Sequence, residues 1–141
     1  LAAAVTRRER IAIFGDYDVD GGSSAAMLKR FFAGAGCECE IYIPDRIFEG
    51  YGPNVQAMRE LADRGNSLII TADCGATSFE ALEEAARLGR DVVVLDHHQM
   101  GVEMPVAHAL VNPNRQDDLS GLGHLCAAGV VFMTSWPFSA N

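Results

Sequence analysis

Three carboxylates stand within five residues at Asp16-Tyr17-Asp18-Val19-Asp20, followed directly by Gly21-Gly22. Like charges so close repel, and a fold keeps them ionised only where a cation or strong hydrogen-bond donors sit among them. Taken alone, such a segment more often marks a solvated Asp/Gly turn. Two further segments change that reading, because Thr71-Ala72-Asp73-Cys74-Gly75 and Leu95-Asp96-His97-His98-Gln99 also place Asp or His just past an apolar run. Carboxylates with one or two imidazoles suit hard divalent cations, Mn²⁺ or Mg²⁺. Bridging carboxylates suit two ions roughly 3.5–4 Å apart that clamp a phosphoryl group and activate water. Phosphoester hydrolysis is the reaction such a site would carry. His98 would neutralise charge developing on the phosphate, and Asp96 would orient a ligating His97 as an outer acceptor.

Three distant segments need elements that bring them together. Arg10 to Phe14 reads as a strand whose unbroken apolar run suits a position covered on both faces. From Ser23 to about Ala35, Met27, Leu28, Phe31 and Phe32 keep helical spacing, and Gly34 and Gly36 mark the stop. Glu38 to Ile43 is a second strand closed by Pro44. The loop from Asp45 to Gly52 leads to a helix from about Asn54 to Arg64, with Val55, Met58 and Leu61 inward. Ser67 to Thr71 is the third strand. Ser78 is a candidate N-cap for a helix whose Phe79, Leu82, Ala86 and Leu88 face the core, and Asp91 to Leu95 is the fourth strand. Strands alternating with helices predict an α/β fold, a mostly parallel sheet with helices on both faces. In such open sheets the functional crevice lies at the carboxyl ends of the strands, where Asp16, Asp18, Asp20, Asp73, Asp96, His97 and His98 all fall.

The remaining features narrow the class. A chain of 141 residues fits one domain, and no stretch approaches the ~18 apolar residues of a membrane span, so a soluble, cytoplasmic protein without a signal peptide is expected. Cys37, Cys39, Cys74 and Cys126 form no CxxC pair and read as reduced and structural. The formal charge of −8 argues against general affinity for nucleic acid. Gly21-Gly22-Ser23 lacks the dinucleotide-binding spacing, so no nucleotide cofactor is expected.

Together these segments carry a family resemblance. Asp16-Tyr17-Asp18-Val19-Asp20-Gly21, Thr71-Ala72-Asp73-Cys74-Gly75 and Asp96-His97-His98 resemble the first three motifs of the DHH phosphoesterase superfamily. Glu49-Gly50-Tyr51-Gly52, Val111-Asn112-Pro113-Asn114 and Ser120-Gly121-Leu122-Gly123 resemble its RecJ-like, single-strand-specific exonuclease branch, and the match runs over about 11–133. The resemblance implies a 5′-to-3′ exonuclease acting on single-stranded DNA in repair and recombination, with a two-metal Mn²⁺ or Mg²⁺ site. Asp18 and Asp20 would bind different metals, Asp73 would bridge them, His97 would be a ligand, and His98 would contact the scissile phosphate. In the loop before the second helix, Arg46 would reach a substrate phosphate and Tyr51 would stack on a base.

Two departures bear on these expectations. The superfamily's pyrophosphatases carry a His four residues before the position of Asp18, where this chain has Phe14; Asp16 would then serve in its place. The family's further metal-binding Asp, its second (DHHA1-like) domain and an OB-like domain lie beyond the matched stretch. The expectation is therefore a DHH domain over 1–141, incomplete at its C-terminus by truncation or frame shift, with weak or no activity alone. Val130, Val131 and Phe132 would be left exposed, and a single-strand-binding protein would be reached only through the absent domains. Two alternatives stand beside this reading: a phosphodiesterase or pyrophosphatase for small substrates, and a non-catalytic partner-binding module.

Overall fold

The computed structural model describes residues 1–135. Ile11–Gly15 (β1), Cys39–Tyr42 (β2), Leu68–Ala72 (β3), Asp91–Leu95 (β4) and Ala109–Val111 (β5) form one sheet in the order β2-β1-β3-β4-β5, every neighbouring pair parallel. Both β1 and β3 are buried along their whole length, as their continuous apolar runs require of strands covered on both sides. Five helices accompany them among the described residues: Ala2–Arg7 (α1), Val19–Gly34 (α2), Val55–Asp63 (α3), Phe79–Arg87 (α4) and Ala127–Ser135 (α5).

Alternation along the strands divides the core in two. Ile11, Ile13, Leu68, Ile70, Val93 and Leu95 pack with Leu28 and Phe32 of α2 and with Val130 and Val131 of α5. On the other face Ala12, Phe14, Ile69, Val92 and Val94 pack with Met58 and Leu61 of α3 and Leu82 of α4. The register places Gly15 beside Ala72 and Ala72 beside Leu95. The residues that follow, Asp16, Asp73 and Asp96, therefore leave the sheet side by side. The order 2-1-3 reverses direction between β1 and β3, and that switch point is where doubly wound sheets open a crevice.

The structure departs from the sequence reading in several places. Helix α2 begins at Val19 rather than Ser23, because the Asp18 carboxylate accepts the Gly21 amide (2.9 Å) and caps it four residues early. In α4 the buried face is Ala81, Leu82 and Ala85; Ala86 is exposed, and Phe79 and Leu88 are half-buried. Ser78 holds the N-cap position without a capping side-chain bond, whereas Asn54 caps α3 through the Ala57 amide (2.8 Å). Val130 and Val131 are buried, not exposed, because α5 packs on α2; only Phe132 of the three is open. Helix α5 runs to Ser135, the last of the described residues. No described helix is long and apolar enough to cross a membrane.

Gly21 shows what the tight start of α2 demands. A Cβ there would lie 2.5 Å from the Asp16 carbonyl oxygen and 2.7 Å from its Cβ and amide nitrogen. Replacing glycine by alanine inside a helix is otherwise worth up to ~1 kcal/mol, but unyielding backbone contacts outweigh that. Gly21→Ala is expected to destabilise the fold by about 1–3 kcal/mol, read as a lowered urea midpoint at unchanged m.

Candidate metal centre

Asp73 sits at the middle of the three strand ends. Its backbone takes a left-handed conformation (φ 64°) and its amide donates to the Leu95 carbonyl (3.0 Å). The next turn closes through Gly75 (φ 107°), where a Cβ would meet Thr71 Oγ1 at 2.5 Å. This bend aims the Asp73 carboxylate, 2 % exposed, into the crevice.

Two groups of donor atoms share that carboxylate. Asp16, Asp18 and Asp73 form one; Asp73, His97 and His98 form the other; within each group the ligand atoms lie within 4.8 Å of one another. Among the described residues Asp73 Oδ1 is buried and makes no hydrogen bond, although His97 Nε2 lies 3.2 Å away. A buried carboxylate oxygen without a donor is destabilising by itself, and a hard divalent cation is the partner that suits it. The residues present therefore fit such an ion.

The electrostatics agree. Burial, then the charges of Asp20 and Asp18, push the Asp73 carboxyl up to about 7. Burial also raises Asp16, whose Oδ1 accepts the Tyr17 amide (2.8 Å), while the Gly21 amide holds Asp18 below the usual carboxylate range. Phe14, at the position where a pyrophosphatase has histidine, is fully buried and stacks on Tyr42 (centroids 5.4 Å apart). Asp16 is the residue that β1 delivers to the cluster.

Asp96 corrects one expectation. The imidazole it holds is that of His98, not His97: its Oδ1 lies 2.7 Å from His98 Nδ1 and also accepts the His97 (2.8 Å) and His98 (3.2 Å) amides, while Oδ2 accepts the Ala76 amide (3.0 Å). Burial disfavours the charged His98 ring, but the Asp96 bond and the surrounding carboxylates outweigh it and raise its pKa. His97 is left facing Asp73, with Asp20 Oδ2 3.6 Å from its Nε2.

Asp20 stands outside both donor groups. Its two oxygens accept the amides of Ala127 (2.7 Å) and Ala128 (2.9 Å), so it ties the first turn of α5 to the centre. Arg46 is exposed, its guanidinium 5.1 Å from the Tyr17 ring centroid, and its charge offsets a little of the rise that burial imposes on the Asp16 carboxyl. Tyr51 is closer: its hydroxyl donates to the Asp73 carbonyl (3.1 Å) and lies 3.4 Å from His98 Nδ1. Its loop is braced by Glu49, which accepts from Tyr42 Oη (2.6 Å) and the Asp45 amide (2.8 Å).

Sequence reasoning gave no role to Asn112 and Asn114. Asn112, buried, donates from Nδ2 to the His98 carbonyl (2.9 Å) and accepts the Asn114 amide (2.8 Å); Asn114 Nδ2 donates to the His97 carbonyl. The Val111-Asn112-Pro113-Asn114 motif was the available signal. Asn112→Ala leaves one donor and one acceptor unpaired and is expected to lose about 2–3 kcal/mol of stability, measured by urea unfolding.

A family model described as "DHH family, N-terminal domain" matches residues 10–139. The single-stranded-DNA-specific exonuclease RecJ of Bacillus subtilis (strain 168) is 40% identical over 129 residues, 92% of this chain and 16% of that protein. The RecJ of Escherichia coli (strain K12) is 36% identical over 124 residues, 87% of this chain and 22% of that protein. Among solved structures, an exonuclease RecJ bound to manganese superposes with a TM-score of 0.85 at 35% identity, covering 96% of this chain and 34% of that one. RecJ in complex with Mn²⁺ from Thermus thermophilus gives 0.77 at 30% identity, covering 96% and 19%. The chain thus spans only a fraction of the length of the relatives it matches. A level row of strand ends around a shared Asp73, and a family match over nearly the whole sequence, lead to one statement: this chain belongs to the DHH family and carries its N-terminal domain.

Proposed function

We propose that the chain is the metal-binding part of a RecJ-like exonuclease that hydrolyses phosphodiester bonds of single-stranded DNA, in the cytoplasm and without a nucleotide cofactor. One observation carries the reading: the Asp73 carboxylate is shared by the carboxylates of Asp16 and Asp18 and by the His97 imidazole, and its buried oxygen lacks a hydrogen bond among the described residues. Likeness to RecJ proteins, two of them solved with Mn²⁺, supports the substrate class and the metal.

Asp16, Asp18, Asp73 and His97, with Asp20 3.6 Å from His97, would hold Mn²⁺ or Mg²⁺ ions. When bound, such ions supply a water of lowered pKa and neutralise charge on the phosphate. The protein's own groups supply the rest. His98 gives its Nδ1 proton to Asp96 in a hydrogen bond, and as imidazolium it keeps the Nε2 proton for a phosphate oxygen. Arg46 offers a guanidinium at the rim, and the Tyr51 ring packs edge-on against that of His98 (centroids 5.9 Å apart). These groups compensate locally for an acidic chain that would otherwise repel a polyanion.

The test is a 5′-labelled oligonucleotide and its duplex, given with Mn²⁺ to a protein of the relatives' length that carries this sequence. Mononucleotides released from the 5′ end of the single strand, and none after chelation, support the reading. Equal attack on duplex, or hydrolysis that survives chelation, contradicts it.

A further inference from the structure

A cavity of about 540 Å³ opens between the loop after Tyr51 and the start of α4, walled by Tyr51, Pro53, Asn54, Ser78, Phe79 and Glu80. Tyr51 is shared with the metal centre, since its hydroxyl reaches the Asp73 carbonyl and His98 Nδ1 from the cavity's edge. The cavity therefore borders the metal centre through Tyr51. Phe79 occupies the first position of α4, where helical spacing directs an apolar residue to the core, yet the buried face of that helix is Ala81, Leu82 and Ala85. Its ring is half-buried in the cavity wall instead. Ser78 makes no capping bond, so its hydroxyl is not committed to the helix end. Gly52 takes the left-handed backbone (φ 75°) that the loop facing Ser78 requires.

We propose that this cavity receives the nucleobase of the nucleotide next to the scissile phosphate, with Phe79 as the stacking face and Ser78 as a hydrogen-bonding group at the base edge. The inference rests on the proposed phosphodiester hydrolysis and deepens it. Two aromatic side chains with small polar neighbours, placed beside a phosphate-handling centre, match what a base offers: two apolar faces and a polar rim. Glu80 makes the cavity a poor place for a second phosphate and suits an exocyclic amine.

The test compares deoxyadenosine 5′-monophosphate with deoxyribose 5-phosphate, titrated calorimetrically into the chain with saturating Mn²⁺. Base stacking predicts about tenfold tighter binding of the nucleotide. In Phe79→Ala that advantage is expected to fall to within twofold while the affinity for deoxyribose 5-phosphate stays unchanged. Phe79→Leu, which keeps apolar bulk without the ring, gives an intermediate ratio and guards against a folding defect in the alanine variant. Equal affinities of the two ligands for the wild-type chain, no binding of either, or a ratio untouched by both substitutions overturns the proposal. Failure of the underlying hydrolytic reading shows differently, as deoxyribose 5-phosphate binding that ignores Mn²⁺.

Discussion

In a protein of the relatives' length that carries this sequence, the proposed reaction predicts that His98→Ala lowers kcat on single-stranded DNA by about 10²–10³-fold while changing Mn²⁺ affinity only severalfold. The asymmetry follows from how the ring is held. With Nδ1 engaged by Asp96 at 2.7 Å, His98 would face substrate as an acid in the proposed reaction, and His97 is the imidazole left against Asp73 at 3.2 Å. Removing His98 takes away a preorganised donor where charge develops and leaves the carboxylate cluster in place. Single-turnover kinetics beside Mn²⁺ titration separates the two effects. A kcat within threefold of wild type would remove His98 from the chemistry.

Asp73→Asn is expected to stabilise the metal-free chain and to abolish most of its stabilisation by Mn²⁺. The folded carboxyl titrates at about 7 against an ordinary value of 3.8, because burial and neighbouring carboxylates favour its protonated form. A raised folded pKa stabilises fully below the unfolded value and loses that contribution as pH rises through about 7. Above pH 7 the wild-type chain therefore carries a buried, repelled charge that asparagine lacks, and asparagine also tolerates the left-handed backbone at this position. At pH 8 the variant should gain about 2–4 kcal/mol over wild type, and near pH 4 almost nothing. Mn²⁺ reverses the order. It stabilises the wild type by mass action, increasingly as pH rises past 7 and Asp73 deprotonates, while the neutral amide should bind at least on the order of 100-fold more weakly. Thermal unfolding of both proteins at the two pH values, with and without Mn²⁺, gives all four comparisons. A variant less stable than wild type at pH 8 without metal would contradict the assigned strain.

The parallel architecture and the meeting of the three strand ends were legible in the sequence because apolar runs, glycine stops and acidic or imidazole residues recur in phase. What periodicity could not supply were contacts between distant segments. Asp18 and Asp20 look alike in sequence, yet one caps its own helix and the other receives the amides of Ala127 and Ala128, more than a hundred residues away. Asp96 precedes both histidines, and only the turn geometry decides that it holds the ring of His98. Phe79 fits a helical apolar stripe, but at the first position of α4 it lies beside the buried face and lines a cavity instead. Asn112 and Asn114 sit in a loop where asparagine usually signals a turn, and here both also support the histidine backbones.

Electron paramagnetic resonance of Mn²⁺ bound to this chain tests the central claim, that Asp73 joins two adjacent cation sites. The account predicts two Mn²⁺ per chain at saturation with the spectrum of a spin-coupled pair, collapsing in Asp73→Asn to at most one weakly held, uncoupled ion. A single isolated Mn²⁺ in the wild type, or a coupled pair that persists in Asp73→Asn, would contradict it.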